Sequence, residues 1–263
     1  MIEALVLPVT ISIIACCLIM AAVWFWAYKI KNGGVVDIFW SLNFPVIVLI
    51  ILFTSEGWRE RTWVICAMVV VWGVRLGVHL GKRVIGHIDE EEGRYAQLRE
   101  DWAPNANRNL FWFFQAQGFS NVLLSLPFFI ISANENKGFS AFEYTGFVLW
   151  LIALSCEALA DNQLNRFKMD PSNEGKVCNV GLWKHSRHPN YFFEWLIWMS
   201  FAIFALGSPY GYLAIISPAI ILDLLLNVTG IPTTEKQAVR SKGELYKEYQ
   251  RTTSAFIPWF KKK

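Results

Sequence analysis

The feature of this sequence that most limits its possible folds is a series of long apolar segments. Each is long enough to cross the roughly 30 Å hydrocarbon core of a bilayer as a helix rising about 1.5 Å per residue. Together with a hydrophobic fraction of 54% and a mean hydropathy of +0.34, they exclude an ordinary soluble domain. The sequence therefore predicts an all-α, polytopic membrane protein with seven transmembrane helices, near residues 4–27, 35–55, 62–84, 111–132, 141–165, 188–207 and 210–229.

Lysine and arginine are distributed unevenly between the loops of these spans, and this predicts the orientation. Basic residues concentrate in cytoplasmic loops. If the C-terminus is cytoplasmic, the basic residues of the outer loops are only Arg59, Arg61 and Lys137. The sequence therefore predicts an outside N-terminus, a cytoplasmic C-terminus and a single integral-membrane domain over residues 1–263.

Composition and short motifs exclude several functional classes. A net charge of +3 without a basic stripe does not support nucleic-acid binding. The sequence contains no P-loop, no HExxH zinc motif and no GxSxG nucleophile elbow. Its five cysteines lack CxxC spacing, so we expect reduced thiols and neither a disulfide framework nor a metal site.

The segment Gly181–Trp195 combines a basic cluster with the start of an apolar helix. A cationic helix start is a natural site for an anion, so Arg187 and His188 predict the anchor of a phosphorylated ligand. Asn190 and Glu194 follow four residues apart and share one helix face just below the membrane surface. Polar residues at that depth mark a functional site by default. The alternative, that the basic residues only hold the helix end at lipid headgroups, does not explain Asn190 and Glu194.

The fifth predicted span ends in the most regular polar pattern of the chain. Spacings of four, four and three place four polar residues on one helix face, namely Glu157, Asp161, Asn165 and Lys168. The fourth span carries amide side chains, including Asn121, for which hydrogen bonding between helices is the alternative explanation.

Charged residues also lie in the second and third spans. Asp37 stands near the cytoplasmic end of the second span, where it either lines a site or is solvated at the interface. Arg75, His79 and Arg83 follow at intervals of four on the third span, and an arginine two turns inside a span rarely faces lipid. The predicted partner of Arg75 is Asp37, Glu157 or a ligand anion. Because polar residues gather in the cytoplasmic halves of the spans, we expect a cavity open to the cytosol.

Two cytoplasmic segments carry charged patterns. Residues 87–108 predict a largely solvated interfacial helix, in which Arg94 and Tyr95 stand out after Gly93. Residues 233–249 predict one amphipathic helix, followed by an aromatic end at 256–260 that lies back against the membrane surface.

The sequence Ser-Arg-His-Pro-Asn-Tyr at 186–191, together with Glu194, resembles the steroid 5-alpha-reductase family and its bacterial members. The resemblance extends to the segments 157–161, 246–249 and 256–258, and it is most specific over about residues 150–260. Sterol reductases and isoprenylcysteine carboxyl methyltransferases share a related signature at the same kind of helix start.

The resemblance implies a monomeric seven-helix oxidoreductase of a bacterial inner membrane, with an active site open to the cytoplasm. Residues 1–110 would form substrate-side helices, and residues 111–263 the cofactor-binding part. The implied cofactor is NADPH, and the implied reaction is reduction of the C=C bond of a 3-keto-Δ4 steroid or similar enone lipid. The family's cofactor positions correspond here to Asp161, Asn190, Glu194, Glu157, Lys168, Arg94 and Tyr191.

The family's catalytic pair is an acid in the second span and a tyrosine in the third. Asp37 takes the place of the acid, whereas residues 62–84 contain no tyrosine. Hydride transfer to the β-carbon of an enone builds negative charge on the carbonyl oxygen, where a preorganised donor does most of the catalytic work. We therefore predict that His79, Arg75, a protonated Asp37 or a water held by them serves as the donor at the carbonyl.

Two other classes of function remain open. A methyltransferase that uses S-adenosylmethionine would need no site for a 2′-phosphate, and cofactor-binding assays separate it from a reductase. A non-catalytic lipid-binding protein would tolerate substitution of Glu157, Asp161 and Glu194 without loss of a ligand.

Overall fold

The structure is a computed structural model that describes residues 2–86, 88–91 and 93–261, and within these ranges it is helical, with no β-strand. Among the residues described, six helical segments are long and apolar enough to cross a membrane: Glu3–Ile30, Val35–Thr54, Arg59–Ile85, Ala106–Ser132, Ala141–Met169 and Gly211–Lys242. The prediction of an all-helical chain is thus confirmed, and these long apolar helices indicate an integral membrane protein.

The sixth predicted span, residues 188–207, forms a helix of only 17 residues, Pro189–Ala205. At about 1.5 Å per residue it is about 26 Å long, a little less than the roughly 30 Å hydrocarbon core. The count of seven spans and the orientation of the termini stay predictions.

The chain divides into two compact units. The first comprises the residues up to Phe139 together with Ser208–Leu213, and the second comprises Ser140–Gly207 and the residues from Ala214 onward. The boundary near residue 110 that was expected between the substrate and cofactor parts falls inside the helix Ala106–Leu124, within the first unit.

The helices of the first unit are α1 (Ile2–Ile30), α2 (Val35–Thr54), α3 (Arg59–Ile85), α4 (Gly93–Asp101), α5 (Ala106–Leu124) and α6 (Leu126–Ser132). Small residues let α2 and α3 approach closely. A Cβ atom added to Gly73 would lie 2.7 Å from Cδ of Pro45, and one on Gly77 would lie 2.9 Å from Cδ2 of Leu42. The helices that carry Asp37, Arg75 and His79 therefore pack closely against each other.

Buried amides join α2 to α5. The Asn43 side chain donates to Oδ1 of Asn121 at 2.9 Å, and the Asn121 side chain donates to the carbonyl of Trp40 at 2.9 Å. Hydrogen bonding between helices therefore accounts for Asn121, which needs no ligand.

The helices of the second unit are α7 (Ala141–Met169), α8 (Pro189–Ala205), α9 (Ile216–Asp223), α10 (Ile231–Lys242) and α11 (Glu244–Thr252), with a π-helical turn at Leu224–Val228. The tail helix predicted over 233–249 is interrupted between α10 and α11. Gly243 adopts φ +54°, a left-handed conformation that side chains with a Cβ rarely adopt, and it ends α10 there.

The register of α7 against α8 is fixed where their backbones come closest. A Cβ atom on Gly146 would lie 2.7 Å from the backbone nitrogen of Phe204 and 2.7 Å from the carbonyl oxygen of Ser200. Near the other end of α7, the indole of Trp183, just before α8, donates to the carbonyl of Ala160 at 2.9 Å. The two helices are therefore antiparallel.

Candidate functional site

Three carboxylates of α7 are buried in the second unit: Glu143 forms a capping box with Ser140 at the start of the helix, and Glu157 and Asp161 lie nearer its other end. Glu157 is 3% exposed and Asp161 is 9% exposed, in a chain whose interior is otherwise largely apolar. Following the antiparallel register from Gly146 at 1.5 Å per residue, Glu157 lies level with about residue 191 of α8. Glu157 and Asp161 and the polar residues at the start of α8 therefore lie at the same depth of this unit.

Asn190, in the first turn of α8, has a buried Oδ1 atom with no hydrogen-bond partner among the described residues. Glu194, one turn later, accepts a 3.0 Å hydrogen bond from the indole of Trp198. A buried amide oxygen without a partner costs free energy unless a ligand donates to it. This is the feature of the second unit that fits a bound group with N–H or O–H donors.

Arg187 and His188, predicted as the anchor of a phosphorylated ligand, both contact Glu235 of α10. Oε1 of Glu235 lies 2.6 Å from Nε of Arg187 and 3.1 Å from Nε2 of His188. Arg187 also donates to the carbonyls of Gln250 at 3.0 Å and Thr253 at 2.6 Å. A carboxylate and two carbonyls therefore hold the arginine, an arrangement that sequence reasoning missed.

Tyr191 lies against the same network. Its ring stacks on His188 with a centroid distance of 5.3 Å and an interplanar angle of 8°, and its hydroxyl lies 3.1 Å from Oγ1 of Thr234. The start of α8 is therefore fixed to α10 through contacts of Arg187, His188 and Tyr191. Tyr191 presents its ring, not a free hydroxyl, to its surroundings.

The segment that follows α10 closes over the turn before α8. The Tyr249 hydroxyl donates to the carbonyls of Trp183 and Ser186, and the amide of Arg187 donates to the carbonyl of Ser254 at 2.8 Å. The amide of Trp259 donates to the carbonyl of His185 at 2.9 Å. Burial raises the pKa of Tyr249 above its ordinary value, so this phenol stays a donor.

Lys168 lies away from the carboxylates, in the last turn of α7. It is exposed and lines a cavity of about 470 Å³ together with Lys242 from the end of α10. The polar face predicted over residues 157–168 is therefore divided: Glu157 and Asp161 are buried, whereas Lys168 lines the cavity.

The first unit contains a second polar cluster, centred on Asp37 of α2. Its Oδ1 accepts a 2.6 Å hydrogen bond from the hydroxyl of Tyr95, and its Oδ2 lies 3.1 Å from a guanidinium nitrogen of Arg83. Tyr95 is fully buried, although it lies in the segment predicted to be largely solvated. Sequence reasoning missed this pairing, because its only signal was that Tyr95 follows Gly93 in a charged loop.

The other residues of the first unit that the sequence predicted as site residues lie on α3 and α4. The ion pair of Asp37 comes from Arg83, at the end of α3, while Arg75 and His79 lie two turns and one turn earlier on the same helix. The guanidinium of Arg94 lies 5.6 Å from the ring centre of Tyr95 and 5.8 Å from that of Phe113. Arg94 therefore packs over the tyrosine through cation–π contacts.

The described residues contain no group of three or more His, Cys, Asp or Glu side chains arranged to hold a metal ion. The chemistry that the two clusters offer is that of hydrogen bonding and proton transfer. One cluster has a phenol on a carboxylate, and the other has buried carboxylates of α7 at the same depth as a buried amide oxygen of α8.

Comparison with known proteins gives a family without a stated reaction. The chain is 25% identical over 284 residues to "Uncharacterized protein C594.04c" of Schizosaccharomyces pombe, an alignment that covers 95% of this chain and 80% of the relative. No solved structure matches the chain significantly. A family described as "Protein of unknown function (DUF1295)" matches residues 23–253, which include both polar clusters. Since this match covers most of the sequence, the chain belongs to the DUF1295 family.

Proposed function

We propose that this protein reduces the C=C bond of a 3-keto-Δ4 steroid or a similar enone lipid, with NADPH as the reductant. The observation that carries the proposal is the Tyr95 hydroxyl, which donates a 2.6 Å hydrogen bond to Asp37 from a fully buried ring. An acid paired with a tyrosine is the combination that the resemblance to steroid reductases implies. Here the tyrosine comes from α4 instead of the third span.

The Asp37 and Tyr95 pair suits the proton end of an enone reduction. During the reaction the C=C π bond is lost, the β-carbon gains a hydride, and the α-carbon gains a proton. The Tyr95 phenol has one hydrogen, so in the reaction it would turn that O–H from Asp37 to the carbonyl oxygen as negative charge develops there. The enol formed would then tautomerise, which gives the α-carbon its proton, and the phenolate would regain a proton from solvent. Asp37 orients the hydroxyl, and Arg83 holds the other carboxylate oxygen, so the donor is positioned before substrate binds.

The second unit offers groups that fit the donors of a dinucleotide. When bound, NADPH would supply the hydride. Asn190 offers a buried oxygen that has no partner in the part of the chain that the structure describes, and this oxygen suits a carboxamide N–H or a ribose hydroxyl. Glu157, Asp161 and Glu194 are acceptors for further hydroxyl groups. Arg187 and His188 would act as positioning residues that hold the start of α8 through Glu235.

The test is NADPH oxidation by the purified protein in lipid nanodiscs, across a panel of 3-keto-Δ4 steroids and smaller enones. We expect NADPH consumption that requires an enone, with a product two hydrogens heavier, and much weaker activity with NADH. Binding of S-adenosylmethionine without any enone-dependent oxidation would replace this function by methyl transfer. If neither cofactor binds and the α7 carboxylates tolerate substitution, a non-catalytic lipid-binding role replaces both.

A further inference from the structure

The cavity at the end of α7 combines basic and apolar walls. Its volume is about 470 Å³. Its basic side chains are Lys168, Lys176 and Lys242, and its apolar ones include Leu164, Phe167 and Met169. Asp170, Glu174 and Cys178 also line it. Neither the carboxylates of α7 nor the Asp37 cluster reaches this cavity, so the proposed reaction does not explain it.

Two lysine side chains from different helices converge there. Lys168 comes from the last turn of α7 and Lys242 is the last residue of α10, and both line the same cavity. Lys242 is half-buried and donates to the carbonyl of Lys176 at 2.7 Å, which fixes its position. Like charges held together on separate helices destabilise the fold unless an anion offsets them. A phosphate group, with several acceptor oxygens, is the common biological ligand of that kind.

The acidic residues of the cavity do not fill this role. The Asp170 carboxylate accepts from the amide of Ser172 at 2.9 Å, and hydrogen bonds from Ser172 hold the pKa of Asp170 below its ordinary value. Asp170 is therefore used by the turn after α7. With Glu174 included, the three lysines still leave an excess positive charge along the cavity wall.

The position of the cavity at the end of α7 favours a ligand at the membrane surface. α7 has 29 residues and is therefore about 44 Å long, more than the roughly 30 Å that hydrocarbon requires. Its last turn thus extends toward the lipid phosphates, where lysines are favoured. Met169, beside Lys168, is 73% exposed, and Phe167 lines the cavity. Ammonium groups beside exposed apolar side chains match a phosphate attached to acyl chains.

We propose that this cavity is a phosphate-binding site, with Lys168 and Lys242 as the ligands of a group presented by an anionic lipid or by a soluble phosphate compound. The site goes beyond the proposed reduction and does not depend on it. Lys168 then serves phosphate recognition at the end of α7, apart from Glu157 and Asp161.

The first experiment measures lipid retention by native mass spectrometry after mixed phosphatidylglycerol and phosphatidylcholine nanodiscs are dissociated. We expect the wild type to retain phosphatidylglycerol and the double variant Lys168→Gln/Lys242→Gln to retain roughly 25-fold less at low salt. The control, Lys236→Gln/Lys247→Gln, removes the same charge from exposed positions outside the cavity lining and should behave as the wild type.

A second readout uses the buried thiol of Cys178, which lines the cavity. The experiment uses a variant whose other cysteines are replaced by alanine. The lysine charges favour the reactive thiolate form of Cys178, and bound phosphate would offset them. Alkylation of Cys178 would therefore slow roughly threefold. Slowing by phosphatidylglycerol alone identifies a lipid, whereas slowing by inorganic phosphate or NADP⁺ in phosphatidylcholine nanodiscs identifies a soluble source. If neither slows alkylation and the double variant keeps its lipid, the site does not exist.

Discussion

The hydroxyl of Tyr95 lies 2.6 Å from Oδ1 of Asp37, although 58 positions separate the two residues in the chain. The short helix α4 makes this contact, because it inserts Tyr95 into the interior of the first unit beside α2. Phe113 of α5 packs edge-on against the tyrosine ring at 6.4 Å, which restricts its motion. The phenol is therefore held in one orientation by a carboxylate and a neighbouring ring.

Replacing Tyr95 with phenylalanine removes the proposed proton donor and little else. We expect kcat with a saturating enone to fall about 100-fold, while the Kd for NADPH stays unchanged, because the lost interaction is made mainly in the transition state. Asp37→Asn should show the same pattern. Tyr212→Phe, at a position 63% exposed, is the matched control.

His79→Ala separates the two candidate donors of the first unit. If Tyr95 supplies the proton, this variant keeps most of the rate, since His79 lies a full turn before Arg83, the residue that pairs with Asp37. A large loss of kcat in His79→Ala together with an active Tyr95→Phe variant would return the role to the residues predicted on α3, Arg75 and His79.

Asn190→Leu tests whether the amide serves a ligand or the fold. Its Oδ1 is buried without a partner among the described residues, so a leucine of similar shape removes an unsatisfied polar atom. We expect a Tm equal to or above that of the wild type, with NADPH binding weakened at least about 10-fold. Asn162→Leu, at an exposed position of α7, should leave binding intact. A lower Tm with normal binding would make Asn190 a structural residue.

Glu235→Ala should destabilise the second unit. The side chains of Arg187 and Glu235 are only 10% and 14% exposed, so removing the carboxylate leaves a buried charge without its counter-ion. We expect a loss of about 3 kcal/mol in unfolding free energy, or roughly 6–12 °C in Tm measured in detergent. Glu248→Ala breaks an exposed ion pair with Arg251 and should change Tm very little. Equal effects in the two variants would contradict this account.

Alkaline pH should unfold the tail of the second unit. Burial raises the pKa values of Tyr246 and Tyr249 above the ordinary value near 10. Between the ordinary and the raised pKa, the unfolded chain loses protons that the folded chain keeps, so stability is full at lower pH and falls as pH rises.

Tyrosinate absorbance measures this directly. Of the eight tyrosines, we expect Tyr246 to ionise only when the protein unfolds. Tyr246→Phe should then reduce the absorbance change that accompanies unfolding. Ionisation of Tyr246 in the folded protein would contradict the burial argument.

The long apolar helices could be predicted because hydropathy is a local property of the sequence. Glu157 with Asp161, and Asn190 with Glu194, were found for the same reason, since a spacing of four places them on one helix face. The pairing of Asp37 with Tyr95 could not be predicted, because no periodicity connects α2 to α4. Glu235 was overlooked as the partner of Arg187, since a charged amphipathic helix does not reveal which of its carboxylates faces inward.

The segment from Tyr249 to Trp259 binds the backbone of residues 183–187 across more than sixty intervening positions. Closing so long a loop costs conformational entropy before the first contact forms, and such non-local pairings slow folding. The turn that starts α8 should therefore acquire its native shape only after α9, α10 and α11 have assembled. Substitutions in the tail that touch no site residue would then reduce the yield of correctly folded protein, and in a mutational screen they would be mistaken for damage to the site itself.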